Sequence, residues 1–131
     1  MKKKSLTAKK RIHKSLLIHL KDTRVNKVFI GLKNHLDKFI SNKNRIGVAI
    51  SGGPDSLALA FLTKCYQLLN NLDAKFFIVD HRLRKESSKE AKLTMLLLKK
   101  FDIDCKIFKW RGKKPSSNIQ SIARNERYKL L

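Results

Sequence analysis

Six residues, Ser51-Gly52-Gly53-Pro54-Asp55-Ser56, stand between a short apolar run and a long one, and they constrain this chain more than any other stretch. Before them, Ile46-Gly47-Val48-Ala49-Ile50 stops at two glycines, as a buried parallel strand does. After them, Leu57 to Leu69 is apolar on most sides, the pattern of a buried helix, with Asp55 or Ser56 placed to cap it. Consecutive glycines lack Cβ atoms, so the backbone can turn sharply and bring its N–H groups against phosphate oxygens. The start of the following helix adds unpaired donors and the positive end of its dipole, and the Ser51 and Ser56 hydroxyls can donate to the same oxygens. Gly-Gly alone would describe an ordinary turn; six specified residue types after a strand and before a helix describe a phosphate loop. No Lys-Ser or Lys-Thr pair follows the glycines, which excludes the Walker type, and the spacing is not the dinucleotide fingerprint G-x-G-x-x-G. Asp55 is the odd member, because a carboxylate repels phosphate. It holds Mg²⁺, it positions an amine, or it only caps the helix.

The periodicity around this loop alternates. Val28, Phe29, Leu32, Leu36 and Phe39 recur at helical spacing, predicting an amphipathic helix over Val25 to Phe39 that ends at the Ser41-Asn42-Lys43-Asn44 turn cluster. Lys75 to Val79 reads as a second buried strand, Ser87 to Phe101 as a helix with Ala91, Met95, Leu98 and Phe101 along one face, and Lys106 to Trp110 as a third strand. Residues 111–117 form a Gly/Lys/Pro/Ser loop, and Ile119 to Leu131 returns to helix. Strand and helix alternating three times predict an α/β fold, an open parallel sheet with flanking helices and right-handed crossovers.

The charge balance narrows the partners. Thirty-one Lys and Arg against 10 Asp and Glu give a net charge of +21. Such a surface repels itself unless something anionic shares it, and phosphate backbones are the commonest such partner. A Lys-rich surface that is merely solvated is the competing reading. The region before residue 46 holds 14 basic and 2 acidic residues, the remainder 17 and 8, so both parts are basic and the first more densely. Residues 1–24 show only a weak helical stripe of Ile12, Leu16, Leu17 and Leu20, and are expected to be mobile with no core to join. Cys65 and Cys105 form no Cys-x-x-Cys or Cys/His cluster, which argues against a zinc or iron–sulfur site and for a reducing cytoplasm. No apolar run reaches membrane-spanning length, and the basic opening is followed by no cleavage site, so neither membrane nor secretion is expected.

Three segments in order carry a resemblance. Ser-Gly-Gly-x-Asp-Ser at 51–56 is similar to the signature of the PP-loop ATP pyrophosphatases, which cleave ATP between the α and β phosphates. Val79-Asp80-His81-Arg82-Leu83-Arg84, followed by Ser87 and Glu90, resembles the Val-Asp-His-x-Leu-Arg segment of tRNA(Ile)-lysidine synthetases. Asn118-Ile119-Gln120, Ala123-Arg124 and Arg127-Tyr128 are similar to that family's Asn-x-x-x-x-Ala-Arg-x-x-Arg-Tyr helix, so the likeness runs over about residues 46–131.

The resemblance implies an adenine nucleotide alpha hydrolase-like fold and an ATP-dependent ligase that joins free lysine to C2 of the wobble cytidine in an isoleucine tRNA with a CAU anticodon. It implies ATP and Mg²⁺ as cofactors. Ser51, Gly52, Gly53, Pro54, Asp55 and Ser56 would hold ATP, with Asp55 on Mg²⁺ or the incoming amine. Arg124 would stabilise the transferring adenylyl group. His81, Arg82, Arg84 and Arg127 would contact tRNA or phosphate. By their residues alone, His81 is equally a polar strand terminus, and Arg124 and Arg127, which share a helix face, are equally a solvated face. The expected organisation is a basic lead with an amphipathic helix over 1–44 and a PP-loop domain over 45–131. The family's downstream His/Asp-rich segment and C-terminal domains lie beyond the resemblance, so the domain is expected to be incomplete and the chain a fragment or a truncated product. The alternatives are another PP-loop tRNA-modifying or amide-forming enzyme, or a non-catalytic RNA- and nucleotide-binding module. A thiolating enzyme would need reactive, usually paired cysteines.

Overall fold

A computed structural model describes residues 5–40, 45–113 and 119–130, with the side chains of Ile119 and Gln120 outside that description. The turn cluster at Ser41 to Asn44, the greater part of the 111–117 loop and Asn118 lie outside the described residues. The order is α1 (Leu6–Ile18), a 3₁₀ turn (His19–Lys21), α2 (Thr23–Phe39), β1 (Arg45–Ile50), α3 (Pro54–Asn70), β2 (Asp73–Asp80), α4 (Ser87–Lys100), β3 (Cys105–Lys109) and α5 (Ile119–Leu130).

The three strands pair in parallel in the order β1-β2-β3, with Val48 opposite Phe76 and Phe76 opposite Cys105. Two right-handed crossovers that step in the same direction put their helices on the same face. The core shows this: Val48, Ile50, Ala74, Phe76 and Ile78 point at Ala60 of α3 and at Ala91 and Leu98 of α4. The expected α/β fold with an open parallel sheet is the fold observed.

Helix α3 is apolar on most sides because it is packed on both. Ala60 meets the sheet, while Leu62, Cys65 and Tyr66 meet Leu16 of α1 and Phe29 of α2 in a second apolar cluster. The Tyr66 hydroxyl donates to Asp37 Oδ1 of α2 at 2.6 Å, fixing the rotation of α2 against α3. The expectation that residues 1–24 have no core to join is therefore corrected for the described residues 5–24. Ser5 accepts from the Ala8 N–H to start α1, and Leu16 is only 1% exposed. Burying a leucine side chain is worth about 2 kcal/mol, which outweighs the weakness of the stripe as a sequence signal.

The polar fastening of α1 is Asp102, in the turn before β3 with φ at +58°. His13 Nε2 lies 2.8 Å from its Oδ2, and Lys9 and Lys64 each reach the carboxylate at 3.7 Å. Burial alone would raise the Asp102 carboxyl, but the His13 hydrogen bond and the charges of Lys64 and Lys9 outweigh it and hold the group below its ordinary value. Among the described residues, no helix is long and apolar enough to cross a membrane.

Candidate functional site

In a parallel sheet the crevice for a ligand lies at the carboxyl ends of the strands. Ser51 follows β1, His81 follows β2 and Trp110 follows β3, so the 51–56 loop and the Asp80-His81 segment share that end of the sheet.

The loop is built around two hydroxyls. Ser56 Oγ accepts from the Ser51 and Gly52 N–H groups at 3.2 Å each and donates to the Gly53 carbonyl at 3.0 Å. Ser51 Oγ donates to Ser56 Oγ at 3.1 Å and accepts from the Gly53 N–H at 3.4 Å. Three successive backbone donors are thereby turned toward the same small region.

The helix cap differs from the sequence reading. The N-cap of α3 is Gly53, not Asp55 or Ser56, and no side chain caps the helix. Pro54 opens the first turn, where its missing N–H costs nothing, and Asp55 sits inside that turn with its carboxylate exposed. A serine or aspartate at the cap would satisfy the first free N–H groups; a glycine leaves them for an anion. Among the described residues, no ion pair engages Asp55.

Gly52 has φ of +94°, and a Cβ added there would come within 2.9 Å of Thr94 Oγ1 on α4. Thr94 is a residue the sequence reading missed. It lies next to Met95 and three positions after Ala91, on the arc of α4 that turns inward, and that position was its available signal. Ser88 was missed as well, and Asp80 carried no role of its own beyond its place in the segment from Val79 to Arg84. The Asp80 carboxylate, 2% exposed, accepts from Ser88 Oγ at 2.5 Å and from the Arg82 N–H at 3.1 Å, while its carbonyl accepts from the Trp110 N–H at 2.9 Å. One buried aspartate thus joins the ends of β2 and β3 to the start of α4, and turns Arg82 into the left-handed region at φ +52°.

His81 Nδ1 is 3.2 Å from the Val79 carbonyl, which can only accept, so Nδ1 carries the proton and Nε2 keeps its lone pair. Burial pushes the His81 imidazole below its ordinary value, and the positive charges of Arg127 and Arg84 add to that against the opposing pull of Asp80. The structure therefore brings Arg127 of α5 and Arg84 into the surroundings of His81. Arg84 is engaged, its Nη2 donating to Glu90 Oε2 at 2.8 Å, while Arg82 is exposed. Arg124 lies over the Tyr128 ring at 6.0 Å, and among the described residues no hydrogen bond or ion pair links it to residues 51–56. Burial raises the Cys65 and Cys105 thiols to about 11, so neither is a thiolate nucleophile at neutral pH. Among the described residues, no group of three His, Cys, Asp or Glu side chains could hold a metal ion.

Residues 23–131 match the model of the PP-loop domain. The chain belongs to the PP-loop family. The loop at 51–56 and α2 both fall inside the matched span. Among curated relatives, the tRNA(Ile)-lysidine synthase of Bartonella henselae is 42% identical over 86 residues, covering 64% of this chain and 17% of the relative. That of Rhodopseudomonas palustris is 41% identical over 88 residues, covering 66% and 25%. That of Rhizobium meliloti is 38% identical over 104 residues, covering 76% and 22%. The chain thus spans about a fifth of the length of the curated relatives it matches.

Proposed function

We propose that this PP-loop domain binds ATP at residues 51–56 and serves lysidine formation on an isoleucine tRNA with a CAU anticodon. The observation that carries the reading is the convergence of the Ser51, Gly52 and Gly53 N–H groups beside a helix start capped by glycine. In this reading the phosphates that become pyrophosphate take the acceptor role that the Ser51 and Ser56 hydroxyls hold in the structure, and the hydroxyls rotate to donate. The names of the relatives support the tRNA substrate and the use of lysine.

The chemistry has two steps. The C2 oxygen of the cytidine attacks the α phosphorus of ATP, and the bond from that phosphorus to the bridging oxygen of pyrophosphate breaks. The ε-amine of lysine then attacks C2, the C2–O bond breaks, and AMP leaves with the oxygen while the amine loses a proton. Asp55, exposed in the first turn of α3, would hold Mg²⁺ against the phosphates or orient the amine. Mg²⁺ characteristically takes one or two carboxylates together with substrate phosphates, which a lone Asp55 fits. Arg124 would offset charge on the adenylyl group. Arg82 and Arg127 would receive phosphates of ATP or tRNA. Arg84 would do so on leaving Glu90, and His81, neutral at pH 7, would offer an acceptor rather than a charge. Two unpaired thiols held as neutral groups fit a reducing cytoplasm and count against a thiolating reaction.

The test is the identity of the products. Incubated with ATP, Mg²⁺, lysine and the tRNA, the protein should yield AMP and pyrophosphate only when tRNA is present. ADP and phosphate would contradict the reading. ATP binding without AMP formation would favour a nucleotide- and RNA-binding module.

A further inference from the structure

We infer that the outward face of α1 is a second, separate contact for nucleic acid: a docking face for the phosphate backbone of a double-helical RNA stem, at the opposite end of the sheet from the nucleotide loop. This rests on the RNA partner of the reading above but not on its chemistry.

Helix α1 is divided by its packing. Leu16 turns into the cluster with Phe29, Cys65 and Tyr66, and Ile12 and Leu17 pack beside it. Lys9 and His13 are taken up by Asp102. What remains is a continuous exposed arc of Thr7, Lys10, Arg11, Lys14, Ser15 and Ile18. Three cations stand there within little more than one turn, and among the described residues none of the three has an ion-pair partner. The carboxylate that does reach α1, Asp102, is shared by Lys9, His13 and Lys64, so it neutralises the inner side of α1 and leaves the outer side uncompensated.

The helix is also held in place. A basic segment that is loose loses conformational entropy on binding, whereas one fixed by a buried leucine and a carboxylate presents its charges already ordered. The arc carries hydroxyls and one aliphatic residue but no aromatic ring, which leaves no platform on which unpaired bases could stack. Its chemistry fits phosphate oxygens along a stem, contacts that position RNA without reading sequence.

Its location follows from the topology. Asp102 lies in the turn that leads into β3, so α1 is fastened at the amino ends of the strands, while residues 51–56 follow the carboxyl end of β1. Strands of five and six residues separate the two ends by about 15–20 Å. The α1 face therefore engages a part of the RNA remote from the nucleotide whose chemistry the loop serves.

The experiment is a titration of a fluorescent RNA hairpin with a stem of about 16 base pairs, repeated across a range of KCl concentrations. Wild type is compared with the triple variant Lys10→Gln, Arg11→Gln, Lys14→Gln. An equal-charge control carries Lys89→Gln, Lys92→Gln and Lys100→Gln on the exposed side of α4. The α1 variant should bind about tenfold more weakly at moderate salt, and its plot of log affinity against log salt should be shallower by about two, as loss of three phosphate contacts requires. The control should lose much less. An unchanged slope in the α1 variant, or an equal loss in the control, would overturn the proposal while leaving the ATP reading intact. A wild type that binds no RNA overturns both the RNA part of that reading and this face. Vesicles of neutral and anionic phospholipid are the remaining arm: wild-type binding to them that the α1 variant loses, with RNA affinity unchanged, would assign the face to a membrane surface instead.

Discussion

Thr94 Oγ1 of α4 occupies the space that a side chain on Gly52 would need, 2.9 Å from the position of its Cβ. The 51–56 loop is thus pressed against a second crossover helix and cannot be understood from β1 and α3 alone. Gly52 also sits at φ +94°, where an L side chain is strained. Gly52→Ala should therefore cost about 1–3 kcal/mol of folding stability. Gly53→Ala should cost far less, because Gly53 has extended backbone and its nearest atom is Ser51 Oγ at an ordinary 3.7 Å. Urea unfolding of the two variants measures the difference, and equal losses would mean the loop is not seated on Thr94.

Helix α1 should detach in one of two ways. Leu16→Ala removes a fully buried side chain and should cost about 2–4 kcal/mol. Asp102→Asn removes a carboxylate held below its ordinary value near 3.8, a group whose stabilisation is present above that pH and is lost as pH falls through the lower folded value. The variant should be less stable at pH 7 and should show a weaker loss of stability below about pH 4 than wild type. Hydrogen exchange of residues 6–18 in either variant should rise selectively; unchanged exchange would show that α1 is held by something else.

His81 predicts a dependence on pH near neutrality. Its imidazole is held below the ordinary value of 6.5, so the unfolded chain takes up its proton first as pH falls. Stability should decline from pH 6.5 downward, and His81→Gln should remove that part of the decline. Urea unfolding at pH 7.5 and pH 5 reads it directly, and a variant with the same pH profile as wild type would contradict the burial and the cationic surroundings of His81.

Much of this was legible in the sequence. An apolar run as short as Ile46 to Ile50, stopped by two glycines, suits a parallel strand, although β1 is buried on one face only, with Gly47 and Ala49 exposed. The longer stretch after the loop has no polar side, and only a helix packed on two sides hides such a surface from water. The nearness of the Arg127 charge to His81 was not legible, since it depends on where α5 lies relative to the end of β2. Asp80 stands in the Val-Asp-His segment without a role of its own and Ser88 in no motif; only burial and their hydrogen bond show that they tie β2 to α4. The N-terminal helix was underrated for the same reason. Its four apolar positions look too few to fold alone, and they become sufficient only against Phe29, Leu62 and Tyr66.

Asp55 separates a helix-start role from a cation-binding one. With Gly53 as the cap, a carboxylate in the first turn contributes only about 0.3–1 kcal/mol through the helix dipole. Asp55→Asn should therefore change stability little, yet remove most of the gain in ATP affinity that Mg²⁺ brings, about tenfold or 1.4 kcal/mol. Where AMP formation is measured, the rate should fall by a factor on the order of a hundred, roughly 3 kcal/mol. Equal Mg²⁺ responses in variant and wild type would place the cation elsewhere.

The central claim is that residues 51–56 hold the phosphates of ATP, and calorimetric titration of Mg·ATP into wild type and Gly53→Val tests it most directly. Gly53 has no close neighbour inside the protein beyond Ser51 Oγ, so the added side chain obstructs an incoming phosphate more than it disturbs the fold. Wild type should bind, and a Gly53→Val protein with an unaltered circular dichroism spectrum and melting transition should bind at least a hundredfold more weakly, a loss of about 2.8 kcal/mol. Equal affinity in a folded variant would contradict the assignment of this loop.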